Sequence, residues 1–299
     1  MTERLNRRDF LHRAVLAAVA GRGVTPLQWR TPVPLRIGVS DAAGSSPQGA
    51  ARRAGIELGL DEARHAATLF GGEVVLVPVA PRDIRRGAVA AVIGGHQTDD
   101  AEELSTNTER AGVIFMNIGS PSDSLRSNGC RPSVFHVVPS DAMCRDAVAQ
   151  ANAPTGAWAA AWDPSLERFG ADTLNTRFQS RFGRPMTSDA WCGWFAVKVL
   201  WEASLRARAT TAAPMAAYLR RESTQFDGHK GRALSFRAWD GQLRQPVYVL
   251  TRDGSGTARV IGECPAAPTG DESSRDVLDR IGVRAGGVAG ATGAACKPS

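Results

Sequence analysis

The most continuously apolar stretch of the chain, residues 188–206, predicts a helix that is buried on most of its sides. Ser188 is a favourable N-cap, and Asp189 falls in the first turn, where the helix dipole favours a negative charge. Apolar side chains follow around most of the helix circumference, and a helix of this kind lies inside a domain. We therefore expect it at the centre of the core, with a packing role for its three tryptophans.

Upstream of this helix, short apolar runs alternate with helical segments. Strands are predicted at residues 35–39, 73–79, 89–93, 113–117 and 134–138, and helices at residues 50–68, 99–110 and 141–150. Continuous apolar strands separated by helices are typical of a parallel sheet that is covered on both faces. The predicted fold class is therefore α/β, with a doubly wound, mostly parallel sheet.

The rest of the chain is predicted to mix helices with a hairpin. Residues 164–182 predict a helix with Pro164 in its first turn, because proline is tolerated there. Asp240-Gly241 predicts the turn of a hairpin between strands at residues 234–236 and 245–251. The remaining predicted elements are strands at 158–162 and 259–261, and helical pieces at 214–222 and 276–281.

The first twenty residues predict an export signal. The twin-arginine pair Arg7-Arg8 precedes a mildly apolar run, and Ala18-Val19-Ala20 is an acceptable cleavage site. Because the apolar run is short, an amphipathic basic N-terminus is the alternative. No other stretch approaches the roughly eighteen apolar residues of a membrane span. We expect a periplasmic protein that is exported by the twin-arginine route.

Charge and cysteine content narrow the choice of partners. The net charge of +6 comes from arginines spread along the chain, without a basic stripe interleaved with aromatic residues, so no nucleic-acid partner is expected. The five cysteines form no C-x-x-C pair and have no histidine at zinc spacing. In an oxidising compartment one or two disulfides can form, and the odd count leaves a thiol unpaired. Cys192, inside the apolar helix, is interpreted as a small buried hydrophobe.

Polar loops follow the predicted parallel strands, at residues 40–49, 94–99 and 118–124. Ligands of such sheets bind at the carboxyl ends of the strands, so these loops are the candidate site. His96 lies in one of them, either as a ligand contact or as an exposed loop histidine. The chain has no H-E-x-x-H or G-x-S-x-G motif, and its Gly-rich residues 286–293 do not lead from a strand into a helix. Neither an enzyme nor a metal site is expected.

Several long strings resemble one family. SDAWCGWFAVKVLWEA and FDGHKGRALSFRAWDGQLRQPVYVL resemble the end of the first lobe in type I periplasmic solute-binding proteins, the Leu/Ile/Val-binding relatives that serve ABC transporters. MNIGSPSDSLRSNGCRPSVFHVVPSDAM is most similar to the branch associated with pyrroloquinoline-quinone-dependent alcohol catabolism. The resemblance covers residues 35–252. It implies a monomeric substrate-binding component without a cofactor, whose partners are a small-molecule ligand and an inner-membrane ABC permease.

The chain departs from this family in one large respect. In the family, the crossing that corresponds to residues 139–141 leads into a second α/β lobe, whereas here only a short stretch precedes Trp162, where the resemblance resumes. The resemblance thus implies a first lobe over residues 34–139 and 164–236, and a remnant of the second lobe over residues 140–163 and 237–264. Residues 265–299 form a C-terminal tail. A hinged clamp that closes on its ligand is less expected from such a chain.

The resemblance also implies which residues hold the ligand. In the family, hydroxyls and main-chain N–H groups of two strand-end loops grip it. Thr98 matches a hydroxyl position in the first loop, and Ser120 and Ser122 fall in the second. Ser40 and Ser45, in the loop after the first strand, complete the expected ligand contacts. Four carboxylates follow Thr98 and are interpreted as helix capping, with a cation site as the alternative. Because they would repel a carboxylate, neutral or cationic solutes such as alcohols or amines are favoured over amino acids.

Two functions remain open at this point. The chain is either a solute receptor with a shallow pocket in the first lobe, or a relative that no longer binds solutes. In the second case it acts through protein contacts, as an accessory of an exported alcohol-oxidising system that depends on pyrroloquinoline quinone.

Overall fold

A five-stranded parallel sheet organises the chain in a computed structural model, which describes residues 33–40, 46–70, 72–127, 131–267, 273 and 277–282. The described residues belong to one compact unit that begins at Val33. The strands of the sheet are β1 (Leu35–Val39), β2 (Val74–Pro78), β3 (Ala91–Gly94), β4 (Ile114–Asn117) and β5 (Val134–His136). Their order is β2-β1-β3-β4-β5 and every pair is parallel, which confirms the predicted fold class.

Seven helices accompany the strands in the described part of the chain. They are α1 (Pro47–Phe70), α2 (Thr98–Ala111), α3 (Ser124–Ser127), α4 (Asp141–Gln150), α5 (Ala171–Phe182), α6 (Ser188–Ala207) and α7 (Ala212–Leu219). Strands β3, β4 and β5 are buried along their whole length, as expected for a sheet whose two faces are covered. None of the described helices combines the length and the apolar character needed to cross a membrane.

Helix α6 lies in the middle of the main core, as the sequence predicts. Its Trp191 and Trp194 are almost completely buried, and it packs closely along α1. Close packing requires glycine at the contact, since a Cβ on Gly55 would clash with the backbone of Ala190. The predicted N-cap was wrong by one residue. Thr187 caps the helix by accepting the N–H of Ala190, and the hydroxyl of the adjacent serine accepts the N–H of Ala161 instead.

Two predicted elements have different bounds in the structure. Helix α5 begins at Ala171 and not at Pro164, because the side chain of Asp163 accepts hydrogen bonds from Ser165 in a local turn. The predicted hairpin partner is also wrong. Strand β8 (Ala233–Phe236) pairs with β7 (Phe226–Asp227) and with the short β9 (Leu243–Arg244), after which Pro246, which lacks an N–H, ends the pairing.

A smaller sheet of three strands includes the chain that follows Pro246. Strands β6 (Trp158–Ala160), β10 (Val247–Arg252) and β11 (Ala258–Cys264) form an antiparallel sheet in the order β11-β10-β6, and α4 packs against it. We call α4 and these three strands the small-sheet region, and the remaining described elements the parallel-sheet region. The small core of the former consists of Met143, Ala147, Val247, Val249, Cys264 and Ile281.

The structure describes three of the five cysteines and only part of the predicted C-terminal tail. Cys144, Cys192 and Cys264 are free thiols, and Cys192 is buried in α6 as expected. The other two cysteines, the predicted signal segment and most of the predicted tail lie outside the described residues. Of the predicted helical piece at residues 276–281, the structure describes residues 277–281, which are helical at 277–278 and form a turn at 279–280.

Candidate functional site

The carboxyl ends of β1, β3 and β4 meet at one edge of the parallel sheet. In a sheet of this strand order the topology reverses between β1 and β3, and ligands bind in the crevice at that point. Ser40 follows β1 and its carbonyl oxygen lies 3.1 Å from Nε2 of His96, which follows β3. The hydroxyls of Thr98 and Ser120 are 3.1 Å apart. The structure thus brings three of the five predicted site residues to this edge. Ser122 lies further along the loop after β4, and Ser45 lies outside the described residues.

An arginine that the sequence did not single out lies in this strand-end crevice. Arg52, in the second turn of α1, is only 8% exposed. Its guanidinium contacts Nδ1 of His96 at 3.2 Å and a carboxylate oxygen of Asp189 at 2.6 Å. Its Cζ would lie 2.9 Å from a Cβ placed on Gly119, which leaves room only for glycine there. His96 is therefore buried against this arginine, and its interpretation as an exposed loop histidine was wrong.

Two buried polar atoms near this edge have no hydrogen-bond partner in the described part of the chain. They are the hydroxyl oxygen of Ser40 and Nε of Arg52. A buried group of this kind is costly unless it is satisfied by water or a ligand. A polar solute atom can hydrogen-bond at these two points only when the crevice opens, because both atoms are buried.

The loop after β4 is organised by Asn117. Its side-chain oxygen accepts the N–H groups of Gly119 and Ser120, and its side-chain nitrogen donates to the carbonyl of Ser120. The main-chain N–H groups that the resemblance assigns to the ligand are therefore occupied at these two residues. The Ser122 hydroxyl lies 2.8 Å from the Ser124 hydroxyl and, unlike Ser120, is partly exposed.

The acidic turn at the start of α2 accepts a main-chain hydrogen bond. Asp100 accepts the N–H of His96 at 2.9 Å, and Asp99, Glu102 and Glu103 are exposed. Within the described ranges, no group of three or more His, Cys, Asp or Glu side chains could hold a metal ion. The geometry therefore favours the capping interpretation over a cation site.

An open groove of about 640 Å³ runs beside this edge, between the two regions of the molecule. One wall is a face of α4, another is β6, and Pro121 and Ser188 contribute from the parallel-sheet region. Five consecutive residues, 157–161, line it. Because side chains of a strand alternate between faces, this means that the groove meets the outer edge of β6.

Two charged residues, Asp141 and Arg145, line the groove, and the arginine is already paired. Arg145 on α4 lies 2.8 Å from Asp123. Burial raises the pKa of Asp123, but the hydrogen bonds from Arg145 and from the N–H of Ala142 prevail and hold this pKa below its usual value. Burial raises the pKa of the Cys144 thiol to about 11, so this cysteine is a neutral side chain and not a nucleophile near pH 7.

The remaining lining is mostly apolar, including the aromatic ring of Trp158. A concave surface of this volume with few polar groups suits a small molecule. Sequence reasoning missed the groove because it requires α4 and β6 to pack beside each other, and no local pattern records that contact.

No protein-family model matches the chain, and no curated protein matches its sequence. Among solved structures, the branched-chain amino acid transporter substrate-binding protein LivJ from Streptococcus pneumoniae, in complex with isoleucine, matches with a TM-score of 0.62 at 13% identity, over 77% of this chain and 99% of that one. The leucine-binding protein LivK from Thermotoga maritima matches with a TM-score of 0.61 at 15% identity, over 77% and 98%. A solute-binding protein of an ABC transporter from R. palustris, in complex with benzoate, matches with a TM-score of 0.63 at 13% identity, over 77% of this chain and 96% of that one.

Two of these neighbours are binding proteins of transporters and the other is a leucine-binding protein, and at such low identity they establish architecture alone. The chain has the α/β fold, with a parallel central sheet, of a lobe of the type I periplasmic binding proteins.

Proposed function

We propose that this chain is a periplasmic substrate-binding component of an ABC transporter that binds a small solute at the strand-end loops and the adjoining groove. The observation that carries the proposal is the open groove of about 640 Å³ beside the crevice, in a fold shared with transporter binding proteins. A membrane permease is the partner that such a role requires. No catalytic step is proposed, since the groove thiol is neutral and Arg145 is paired with Asp123.

The proposed contacts remain Ser40, Ser45, Thr98, Ser120 and Ser122. Thr98 and Ser122 are partly exposed, so their hydroxyls can meet a solute without rearrangement. Ser40 and Ser120 are buried, and a solute reaches them only if the crevice opens. Trp158, which lines the groove, joins this set as an aromatic contact.

The solute class follows from charge. Arg52 is neutralised by Asp189, Arg145 is neutralised by Asp123, and the exposed acidic turn after Thr98 repels anions. We therefore propose uncharged or cationic solutes with an apolar body, such as alcohols or amines. An open groove buries less of a solute than an enclosed cleft does. Binding should be weak, about −4 to −5.5 kcal/mol, which is a Kd from high micromolar to millimolar.

We also propose that the small-sheet region is the reduced second lobe, within residues 140–163 and 237–264, and that the chain belongs to the branch linked to pyrroloquinoline-quinone-dependent alcohol catabolism. One observation favours a second candidate function, an accessory protein without a solute. The Arg52–Asp189 pair, with an oxygen–nitrogen distance of 2.6 Å, already fills the crevice where a solute's polar end would lie.

A thermal-shift panel separates the two candidates. With 10 mM solute and a Kd of about 1 mM, mass action stabilises the folded state by about 1.4 kcal/mol, or roughly 2–4 °C. The panel compares benzyl alcohol, benzylamine, benzoate and leucine. Shifts for the alcohol or the amine support the receptor, and a folded protein that responds to none of the four supports the accessory.

The proposed twin-arginine export has its own test. Cell fractionation of a double variant, Arg7→Lys with Arg8→Lys, should find the precursor in the cytoplasm, because the export machinery reads the arginine pair. Normal periplasmic delivery of that variant would contradict the assignment.

A further inference from the structure

We infer that residues 277–282 form a strap that holds α4 at a fixed position, and that Asp279 is the positioning residue that sets the width of the solute groove. The inference rests on the proposed function only in taking the groove as the solute site. It concerns contacts on the far side of α4 from that groove.

The carboxylate of Asp279 binds the strap to the parallel-sheet region. Asp279 accepts hydrogen bonds from Nε of Arg237 at 2.8 Å and from Nε of Arg244 at 2.9 Å. The side chain of Arg237 is 1% exposed, and it also donates to the carbonyls of Leu278 and Ile281. Two buried cations that share one carboxylate make charge-assisted bonds, which are stronger than neutral ones.

The same strap is fastened to the small-sheet region through α4. The N–H of Gly282 donates to a carboxylate oxygen of Asp146 at 2.7 Å, and Gln150 donates to the carbonyl of Arg280. Ile281 belongs to the small core, where Met143 and Ala147 of α4 also lie. These residues connect α4, by way of the strap, to the arginine pair of the other region.

Helix geometry puts the strap and the groove on opposite faces of α4. Met143, Asp146 and Gln150 are spaced by three and four residues and so share one face, which contacts the strap. Cys144 and Val148 share another face, which lines the groove. A shift of the strap therefore moves the groove wall directly, without any change in the residues that would touch a solute.

This arrangement argues against a hinge that closes on its ligand. Closure requires the two regions to move relative to each other, whereas the strap bonds to both at once. The groove then keeps one width with or without solute, and its width selects the solute.

Amide hydrogen exchange of the mature full-length protein, without solute, tests the strap. In Asp279→Ala and in Asp146→Ala, amides of α4 should exchange on the order of tenfold faster, while amides of α2 stay unchanged. Asp279→Asn, which keeps an acceptor oxygen, should lie between Asp279→Ala and wild type. Asp172→Ala is the matched control, because Asp172 is an exposed aspartate on α5.

Unchanged exchange in α4 of both alanine variants would overturn the inference, and so would an equal increase in α2 and α4. If Asp279→Ala unfolds throughout, Asp146→Ala decides by the same comparison, since it leaves both arginines their carboxylate. The outcome is independent of the proposed function. Failure to bind any solute would remove that function and leave the exchange result standing.

Discussion

The parallel-sheet region and the small-sheet region differ in how they are held together. The first has a large core around α6, in which the rings of Trp162, Trp191 and Phe195 stack. The second depends on a core of six buried residues and on the strap. Because stability grows with buried apolar area, the first region should carry most of the folding free energy.

The two regions also differ in what they leave open. At the strand ends of the parallel sheet, Arg52 fills the crevice and Asn117 satisfies the loop that the sequence assigned to the ligand. Beside the small sheet, the edge of β6 and one face of α4 leave a groove. The comparison shows that the largest core and the open groove lie in different parts of the fold.

Tryptophan replacement should show the largest contrast between the regions. Trp194 is 1% exposed and donates its indole N–H to Glu62 at 2.8 Å, and Trp201 is also buried. Replacing either with alanine should cost about 3–5 kcal/mol of unfolding free energy, through lost burial and a cavity. Trp158→Ala, at the partly exposed groove, should cost about 1 kcal/mol. Chemical denaturation measures all three, and equal losses at Trp158 and Trp194 would refute the contrast.

The buried side chain of Lys230 should make the stability of the protein depend on pH. Lys230 donates to the side chain of Gln245 at 2.7 Å and lies 3.9 Å from the ring centre of Trp191. Burial lowers its pKa to about 7 from the ordinary value of 10.5. Between these values the unfolded chain binds more protons than the folded one, so the unfolding free energy rises with pH.

The increase should amount to about 1–2 kcal/mol between about pH 7 and pH 8.5. Above about pH 9 the buried thiols, whose pKa values burial raises, act in the opposite direction. Urea denaturation at several pH values measures the slope, and Lys230→Met should flatten it. An equally steep slope in this variant would show that another group is responsible.

A smaller effect should follow when one charge of the ion pair in the crevice is removed. Asp189→Asn removes the negative partner of Arg52 and should cost roughly 1 kcal/mol of stability, since Asp189 is partly exposed. It also leaves the positive charge uncompensated at the strand ends. The variant should therefore bind benzoate better than wild type does, whereas Asp172→Asn should not. Equal benzoate binding by all three proteins would show that the crevice is inaccessible to solutes.

Regular hydrophobic patterns explain which parts of the fold were predictable. The parallel strands and α6 were correct because each carries its own apolar periodicity over several residues. Pro164 misled the prediction, since a proline suits both a helix start and the turn that Asp163 forms here. The turn competes with the helix through a side-chain hydrogen bond that sequence patterns do not rank.

The candidate site was less predictable for a different reason. Thr98 and Ser120 were placed together because both follow parallel strands, and they do meet. Arg52 lies near the start of a predicted helix, and its position beside His96 depends on how α1 packs. The groove depends on Trp158 reaching α4 across a chain connection, which no local spacing encodes.

Calorimetric titration of the protein tests the central claim, that an open and mostly apolar groove binds the solute. We expect benzyl alcohol to bind with a Kd in the high micromolar to millimolar range, and leucine and benzoate to bind more weakly. The Trp158→Ala variant should bind benzyl alcohol about tenfold more weakly, which is about 1.4 kcal/mol of binding free energy. Nanomolar binding of leucine, unaffected by Trp158→Ala, would contradict both the open groove and the charge argument.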